Sequence, residues 1–287
     1  MGRTSAVSNT AGAGTRPWGP GPVVVGILNV TPDSFSDGGN YVDPEAAAEH
    51  AAAMFDEGAA IIDVGGESTR PGSDPVSPAE EARRVVPVIE RIVAARPGAI
   101  ISVDTYRSAT ATAALEAGAG IVNDVTALRG DPRMAAVVAE AGCPVILMHM
   151  QGEPKTMQSE PRYTDVVREV NHFLRSRVEH AVAAGVGEEN IIVDPGIGFG
   201  KTVDHNLTLL RDLKSVVDLG FPVLVGASRK RFIGSITGLE EASARVFGTV
   251  ASTVLAYERG ATLFRVHDVG PNSEALAVAE AVVSASR

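Results

Sequence analysis

The sequence is short of cysteine, aromatics, positive charge and long apolar runs, and each shortage removes a class of protein. Cys143 is the only cysteine in 287 residues, so no internal disulfide can form, which points to a reducing compartment such as the cytoplasm. The first apolar run, Val23 to Val30, is far shorter than the ~20 residues a membrane helix needs and runs straight into Thr31-Pro32-Asp33. No apolar stretch of the secretory kind follows Arg3. Lysine and arginine number 25 against 35 acidic residues, a formal charge of −10, which argues against a nucleic-acid or anionic-membrane partner. Residues 1–22 are mostly Gly, Ser, Thr, Ala and Pro, with Trp18 the one large apolar group, and are expected to be a disordered tail. These readings predict a soluble cytoplasmic protein.

What is present is rhythm. From Val23 onward, short Val- and Ile-rich runs alternate with longer Ala/Leu/Glu/Arg segments of helical period. Strands are predicted at 23–28, 59–64, 99–103, 120–122, 144–148, 191–193, 222–225 and 262–266. Helices are predicted at 44–57, 78–96, 107–117, 132–141, 164–184, 205–218, 241–259 and 272–285. First-turn prolines follow Asp43, Ser77 and Asp131, and Gly58, Gly118, Gly142, Gly185 and Gly220 supply stops. The length allows two domains of about 150 residues or one barrel of about 250. The rhythm favours an α/β fold, a single-domain (β/α)8 TIM barrel over residues 23–287, with an open doubly wound sheet as the rival.

Polar residues gather where the strands end. In order these are Asn29, Asp63 with Glu67 beyond it, Asp104, Asn123-Asp124, His149, Asp194, Ser228 with Arg229 and Lys230, and Arg265 with His267. One such residue alone reads as a helix cap, but eight strands ending alike read as one barrel mouth, where barrel enzymes place their chemistry. The loops 31–39 and 65–72 are polar, rich in turn formers and longer than a βα turn needs. Arg70 between Thr69 and Pro71 suits an anion, because a guanidinium matches phosphate geometry.

Other motifs are absent. Asp194 to Thr202 ends in Gly-Lys-Thr like a phosphate loop, yet Pro195 stands where the first glycine belongs. Its glycines fit close approach to a flat ligand beside Phe199. The histidines lack zinc-protease spacing, Cys143 reads as buried filler, and no Gly-x-Ser-x-Gly elbow exists. Lys230, flanked by Arg229 and Arg231, suits either a Schiff base or a charged contact to an anion or ring carbonyl.

Taken together, GILNVTPDSFSDGG (26–39), DVGGESTRPG (63–72), SVDTYR (102–107), NDV (123–125), LMHMQGEP (147–154), DPGIGFGKT (194–202), GASRKRFIG (226–234) and RVHDV (265–269) resemble the dihydropteroate synthases of folate biosynthesis. The match runs from about Val23 to the C-terminus. It implies a transferase that displaces diphosphate from 6-hydroxymethyl-7,8-dihydropterin diphosphate with the amine of p-aminobenzoate. By position it implies catalytic roles for Asp104, Lys230, Arg265 and His267. Asp104, Asn123, Met148, Asp194 and Lys230 would bind the pterin. Asn29, Thr69, Arg70, Arg265 and His267 would bind diphosphate, with Asn29 ligating Mg²⁺. Pro71, Phe199, Ser228 and Lys230 would border the p-aminobenzoate pocket, where sulfonamides compete. The resemblance also implies a homodimer.

Two roles for Asp104 stay open: ring binding alone, or electrostatic support of a cation on the exocyclic methylene. No insertion interrupts Gly198-Phe199-Gly200-Lys201, which predicts ordinary sulfonamide sensitivity. The runner-up is a pterin-dependent methyltransferase module with a corrinoid partner, which needs no diphosphate pocket and so leaves Arg70, Lys230 and Arg265 unexplained. A non-enzymatic pterin-binding protein is the other alternative, and it has no use for Asn29 or the loop after the first strand.

Overall fold

The computed structural model describes residues 18–19, 21–31, 43–67, 76–152 and 156–285. Eight strands, β1 (Val23–Asn29), β2 (Ile61–Gly65), β3 (Ile100–Asp104), β4 (Ile121–Asp124), β5 (Val145–Met148), β6 (Ile191–Asp194), β7 (Leu224–Val225) and β8 (Leu263–Val266), pair in parallel in the order β6-β5-β4-β3-β2-β1-β8-β7. The ring closes between β6 and β7 through the Val193–Val223 bridge, with the Val193 N–H donating to the Pro222 carbonyl at 3.0 Å. An open doubly wound sheet would leave β6 and β7 as separate edges, so this closure decides for the TIM barrel.

Strand side chains alternate between two surroundings. One set, including Val24, Leu28, Ile62, Val64, Val103 and Phe264, packs under the helices. The other set faces the barrel axis, where Val23, Val25, Ile61, Ile121, Ile146, Ile192, Leu224 and Leu263 form an apolar plug. Trp18 packs, half-buried, against that plug, while residues 1–17 and 20 of the predicted tail lie outside the described residues. Two residues further along the same strands, the axial positions turn polar: Asp63, Asn123, Asp194 and Arg265 follow Ile61, Ile121, Ile192 and Leu263. A period-two pattern that changes from apolar to polar along the strand therefore builds both the floor and the mouth.

Ten helices surround the described barrel: α1 (Pro44–Asp56), α2 (Pro78–Ala95), α3 (Ser108–Glu116), α4 (Met134–Ala141), α5 (Val166–Ala183), α6 (Val203–Arg211), α7 (Lys214–Val217), α8 (Arg231–Thr237), α9 (Val246–Glu258) and α10 (Val269–Ser284). Asp43 and Ser77 cap α1 and α2 as their prolines suggest, accepting from the Glu45 and Glu80 N–H groups. Asp131 does not cap α4. Its Oδ2 accepts from Ser108 N–H and Oγ at 3.0 and 2.6 Å, at the start of α3, while its Oδ1 accepts from the Arg133 N–H in the turn before α4. The predicted helix at 205–218 is two, split at Asp212 and Leu213. The unpredicted α8 is short, carries Gly234 and ends at Gly238 with φ +74°, too few residues for a helical period to show. Among the described residues no helix is long and apolar enough to cross a membrane.

Candidate active site

Strand register sets the first half of the site. Asn29, Gly65, Asp104 and Asn123 are consecutive lateral partners across β1 to β4. A Cβ at Gly65 would touch the Asp104 Cβ at 3.4 Å and Asn29 Oδ1 at 3.8 Å, so glycine keeps the space between those side chains open. Arg265 reaches across from β8. Its Nε donates to Asp63 Oδ2 at 2.5 Å and its Nη2 to Asp104 Oδ2 at 2.8 Å. The same Asp63 oxygen accepts from Asn123 Nδ2 at 3.0 Å. Four strands are thus joined by one guanidinium, two carboxylates and an amide. Asp63 Oδ1 and Ser102 Oγ are buried and have no hydrogen-bond partner among the described residues.

The second half comes from the ends of β5 to β8. Asp194 is the lateral partner of Met148, and its Oδ1 accepts from Gly196 N–H at 2.7 Å. Lys230 Nζ sits 3.8 Å above the centre of the Phe199 ring. Phe199 packs in turn against the cluster of Val125, Met148, Met150 and Met157. Ser228 Oγ lies 3.0 Å from His267 Nδ1 and accepts from His267 N–H at 3.1 Å, which links β7 to β8. Between Ser228 and Lys230, Arg229 adopts φ +56° and pairs with Asp268 at 2.9 and 2.5 Å. That left-handed turn separates the direction of Arg229 from those of its two neighbours.

The pterin binding enzyme family model matches residues 25–267. The chain is 47% identical over 264 residues to dihydropteroate synthase of Escherichia coli strain K12, covering 92% of this chain and 93% of that one. The chain belongs to the dihydropteroate synthase family. Its fold superposes with TM-score 0.87 and 49% identity on Xanthomonas albilineans dihydropteroate synthase with 4-aminobenzoic acid, covering 93% of this chain and 94% of that one. The same enzyme in complex with 7,8-dihydropteroate superposes with TM-score 0.84 and 47% identity, covering 93% and 95%. This dihydropteroate synthase is therefore a transferase, and the methyltransferase and binding-only readings fall away.

Of the expected site residues, the fold brings Asp104, Asn123 and Arg265 into one hydrogen-bonded array, Lys230 and Phe199 into contact, and Ser228 onto His267. Met148 and Asp194 are neighbours in register, and Asn29 borders the array at Gly65. Thr69, Arg70 and Pro71 lie outside the described residues. Three participants carry no ligand role in the sequence reading, although Asp63 and His149 are among the strand-end residues expected at the mouth. Asp63 is the hinge of the array. Lys201 and His149 form a buried pair, Nζ to Nδ1 at 3.0 Å, which the phosphate-loop likeness of Gly-Lys-Thr concealed.

Burial sets the electrostatics of this dihydropteroate synthase. The Asp104 carboxyl is raised above the usual carboxylate range by burial, with Arg265 opposing and Asp63 reinforcing. Asp194 is raised by burial, tempered by the Gly196 N–H and by Lys230 and Lys201. Lys230 is lowered by burial, with Asp194 pulling the other way. Lys201 is lowered to about 7 for the same reason. His149 is pushed down to about 2 by burial and then by Lys201, so it is neutral and accepts through Nδ1.

These directions give a titration test. Carbon-13 NMR of aspartate carboxyls and lysine side chains, assigned with Asp194→Asn, Lys201→Met and Lys230→Met, is expected to show Asp194 titrating above the ordinary ~3.9 and both lysines well below the ordinary ~10.4. Falling pH then neutralises Asp194 earlier than an ordinary carboxylate, and rising pH neutralises the lysines earlier than ordinary ones. Ordinary midpoints for all three would contradict the buried arrangement.

Proposed function

We propose that this dihydropteroate synthase joins 6-hydroxymethyl-7,8-dihydropterin diphosphate to p-aminobenzoate, releasing diphosphate and giving 7,8-dihydropteroate. The observation that carries the reading is the apposition of two groups at the mouth. One is the Arg265, Asp63, Asp104 and Asn123 array, and the other is Lys230 on Phe199 beside Asp194. A pterin presents an edge of N–H donors, which Asp194 accepts as a carboxylate while Asn123 and Asp104 hold the rest of the ring. Met148 supplies an apolar face, and Lys230 meets the ring on the side of Phe199.

Diphosphate leaves with the electron pair of the bond between its oxygen and the exocyclic methylene. The arylamine nitrogen then bonds to that methylene and releases a proton. Asp104, near the methylene, offsets the positive charge that develops there. Arg265 has Nε and Nη2 turned to carboxylates, which leaves Nη1 for the departing oxygens, and the resemblance assigns Thr69, Arg70 and His267 to the same diphosphate. Phe199 and Ser228 border the arylamine, the resemblance assigns Pro71 to the same pocket, and a sulfonamide would take the same place.

Mg²⁺ fits the mouth in a limited way. Asn29 offers one hard amide oxygen beside Asp104, and no group of three or more His, Cys, Asp or Glu that could hold a metal exists among the described residues. Asn29 would therefore share the ion with water and the diphosphate itself, as Mg²⁺ commonly does. When bound, it supplies charge neutralisation for the leaving group.

A homodimer has support from the surface. Phe247 and Leu255, two turns apart on α9, are 87% and 46% exposed, and Val278, Val282 and Val283 on α10 are 66%, 68% and 59% exposed. An apolar face of this kind on neighbouring helices suits a second copy of the chain. The buried free thiol of Cys143 and the lack of a membrane-spanning helix among the described residues are in keeping with a cytoplasmic place.

Diphosphate release matched by dihydropteroate is expected with the pterin substrate, p-aminobenzoate and Mg²⁺ together, and chelation with EDTA should stop it. Asp194→Ala and Lys230→Ala should each lower kcat/KM for the pterin substrate by at least about tenfold, the order expected from losing a charge-assisted contact. A sulfonamide should compete with p-aminobenzoate. No diphosphate release with all three components present would overturn the reading. Separately, light scattering is expected to give a dimer that Phe247→Glu dissociates; a wild-type monomer would remove the dimer.

A further inference from the structure

Lys201 has no assigned part in the chemistry, yet it is 3% exposed and its ammonium is saturated with acceptors. Nζ lies 3.0 Å from His149 Nδ1, donates to the Phe199 carbonyl at 3.0 Å and reaches the His149 carbonyl at 3.4 Å. A buried ammonium is retained only where such acceptors replace its water. Its acceptors belong to two segments. His149 ends β5, and Phe199 sits in the glycine loop after β6.

The two segments are pressed together along their length. Gly196, at φ +67°, would put a Cβ 1.9 Å from the His149 carbonyl oxygen, and Gly200, at φ +61°, would put one 2.3 Å from that of Gln151. Gln158 Nε2 donates to the Gly198 carbonyl at 2.5 Å, and Tyr163 Oη donates to that of Gly200 at 2.9 Å. The His149 ring is fixed in turn, edge-on to Phe173 with centroids 4.8 Å apart. Among the described residues only Lys201 grips the backbone of Phe199 itself from the β5 side, through the same residue whose ring carries Lys230.

We propose that Lys201 is a positioning residue: it pins the Phe199 carbonyl to His149, holds the Phe199 ring against Lys230, and thereby sets affinity for the arylamine substrate. The inference rests on the function proposed above, in which Phe199 borders that substrate. It predicts an effect that falls mainly on one substrate. The Arg265 array keeps all its hydrogen bonds when Lys201 is lost, and Asp194, though it loses one of the cations that temper it, keeps the Gly196 N–H and Lys230.

The test is a steady-state comparison of Lys201→Met, Phe199→Ala and the double variant. Lys201→Met is expected to raise KM for p-aminobenzoate and the sulfonamide inhibition constant by about tenfold, while KM for the pterin diphosphate moves less than about threefold. In the Phe199→Ala background, Lys201→Met should add little, because the ring it positions is gone. Equal movement of both KM values, no movement of either, or full additivity with Phe199→Ala would overturn the inference. If Lys201→Met fails to fold, His149→Phe removes one acceptor and should shift the same constants in the same direction by a smaller factor; unchanged constants there would also overturn it. A wild-type enzyme that makes no dihydropteroate would sink the functional reading and this inference with it, whereas an active wild type matched in every constant by Lys201→Met sinks this inference alone.

Discussion

The site depends on one half-buried guanidinium. Arg265 stands between Asp63 and Asp104, and through Asp63 it also fixes Asn123. Each carboxylate taken out of water alone would carry a penalty of several kcal/mol, and the shared cation offsets it only while the geometry is kept. The arrangement is therefore self-enforcing: loss of Arg265 strands two negative charges, and loss of Asp63 releases both Arg265 and Asn123. For a reaction that separates charge, such a fixed set of dipoles and charges needs no rearrangement when diphosphate departs.

Everything around that array serves to hold it still. The apolar plug below leaves the axial polar residues no room to sink, since Ile61, Ile121 and Leu263 sit two positions beneath Asp63, Asn123 and Arg265. On the other side of the mouth, Arg229 and Asp268 clip the β7 and β8 loops together and leave Ser228 on His267 and Lys230 on Phe199. The whole chain carries a charge of −10, but the mouth sets Arg265, Lys230 and Lys201 beside Asp63, Asp104 and Asp194. Net charge is a property of the outer surface and says little about what anion the mouth takes.

Much of this was legible from the chain alone, for a physical reason. Parallel strands buried on both faces must be continuous apolar runs, and a polar residue that ends each run has few places to be except the mouth. Asn29, Asp104, Asn123, Asp194 and Lys230 could be found that way. The hinge role of Asp63 could not, because its partner Arg265 is 202 residues away and sequence order carries no distance. Lys201 was hidden by a likeness to a phosphate loop, whose lysine faces a ligand, while this one turns inward to His149. The α8 helix escaped because it spans Arg231–Thr237 only, and a helical period needs more turns than that to be seen.

The account stands or falls on coupling within the array. A double-mutant cycle of Asp63→Asn and Arg265→Met, read both by urea unfolding and by kcat/KM for the pterin substrate, measures it directly. The two substitutions are expected to be non-additive by at least about 1 kcal/mol in each readout, the double variant losing much less than the sum of the singles. Additive losses would show that Arg265 and Asp63 act independently, and the array would then not be what organises the site.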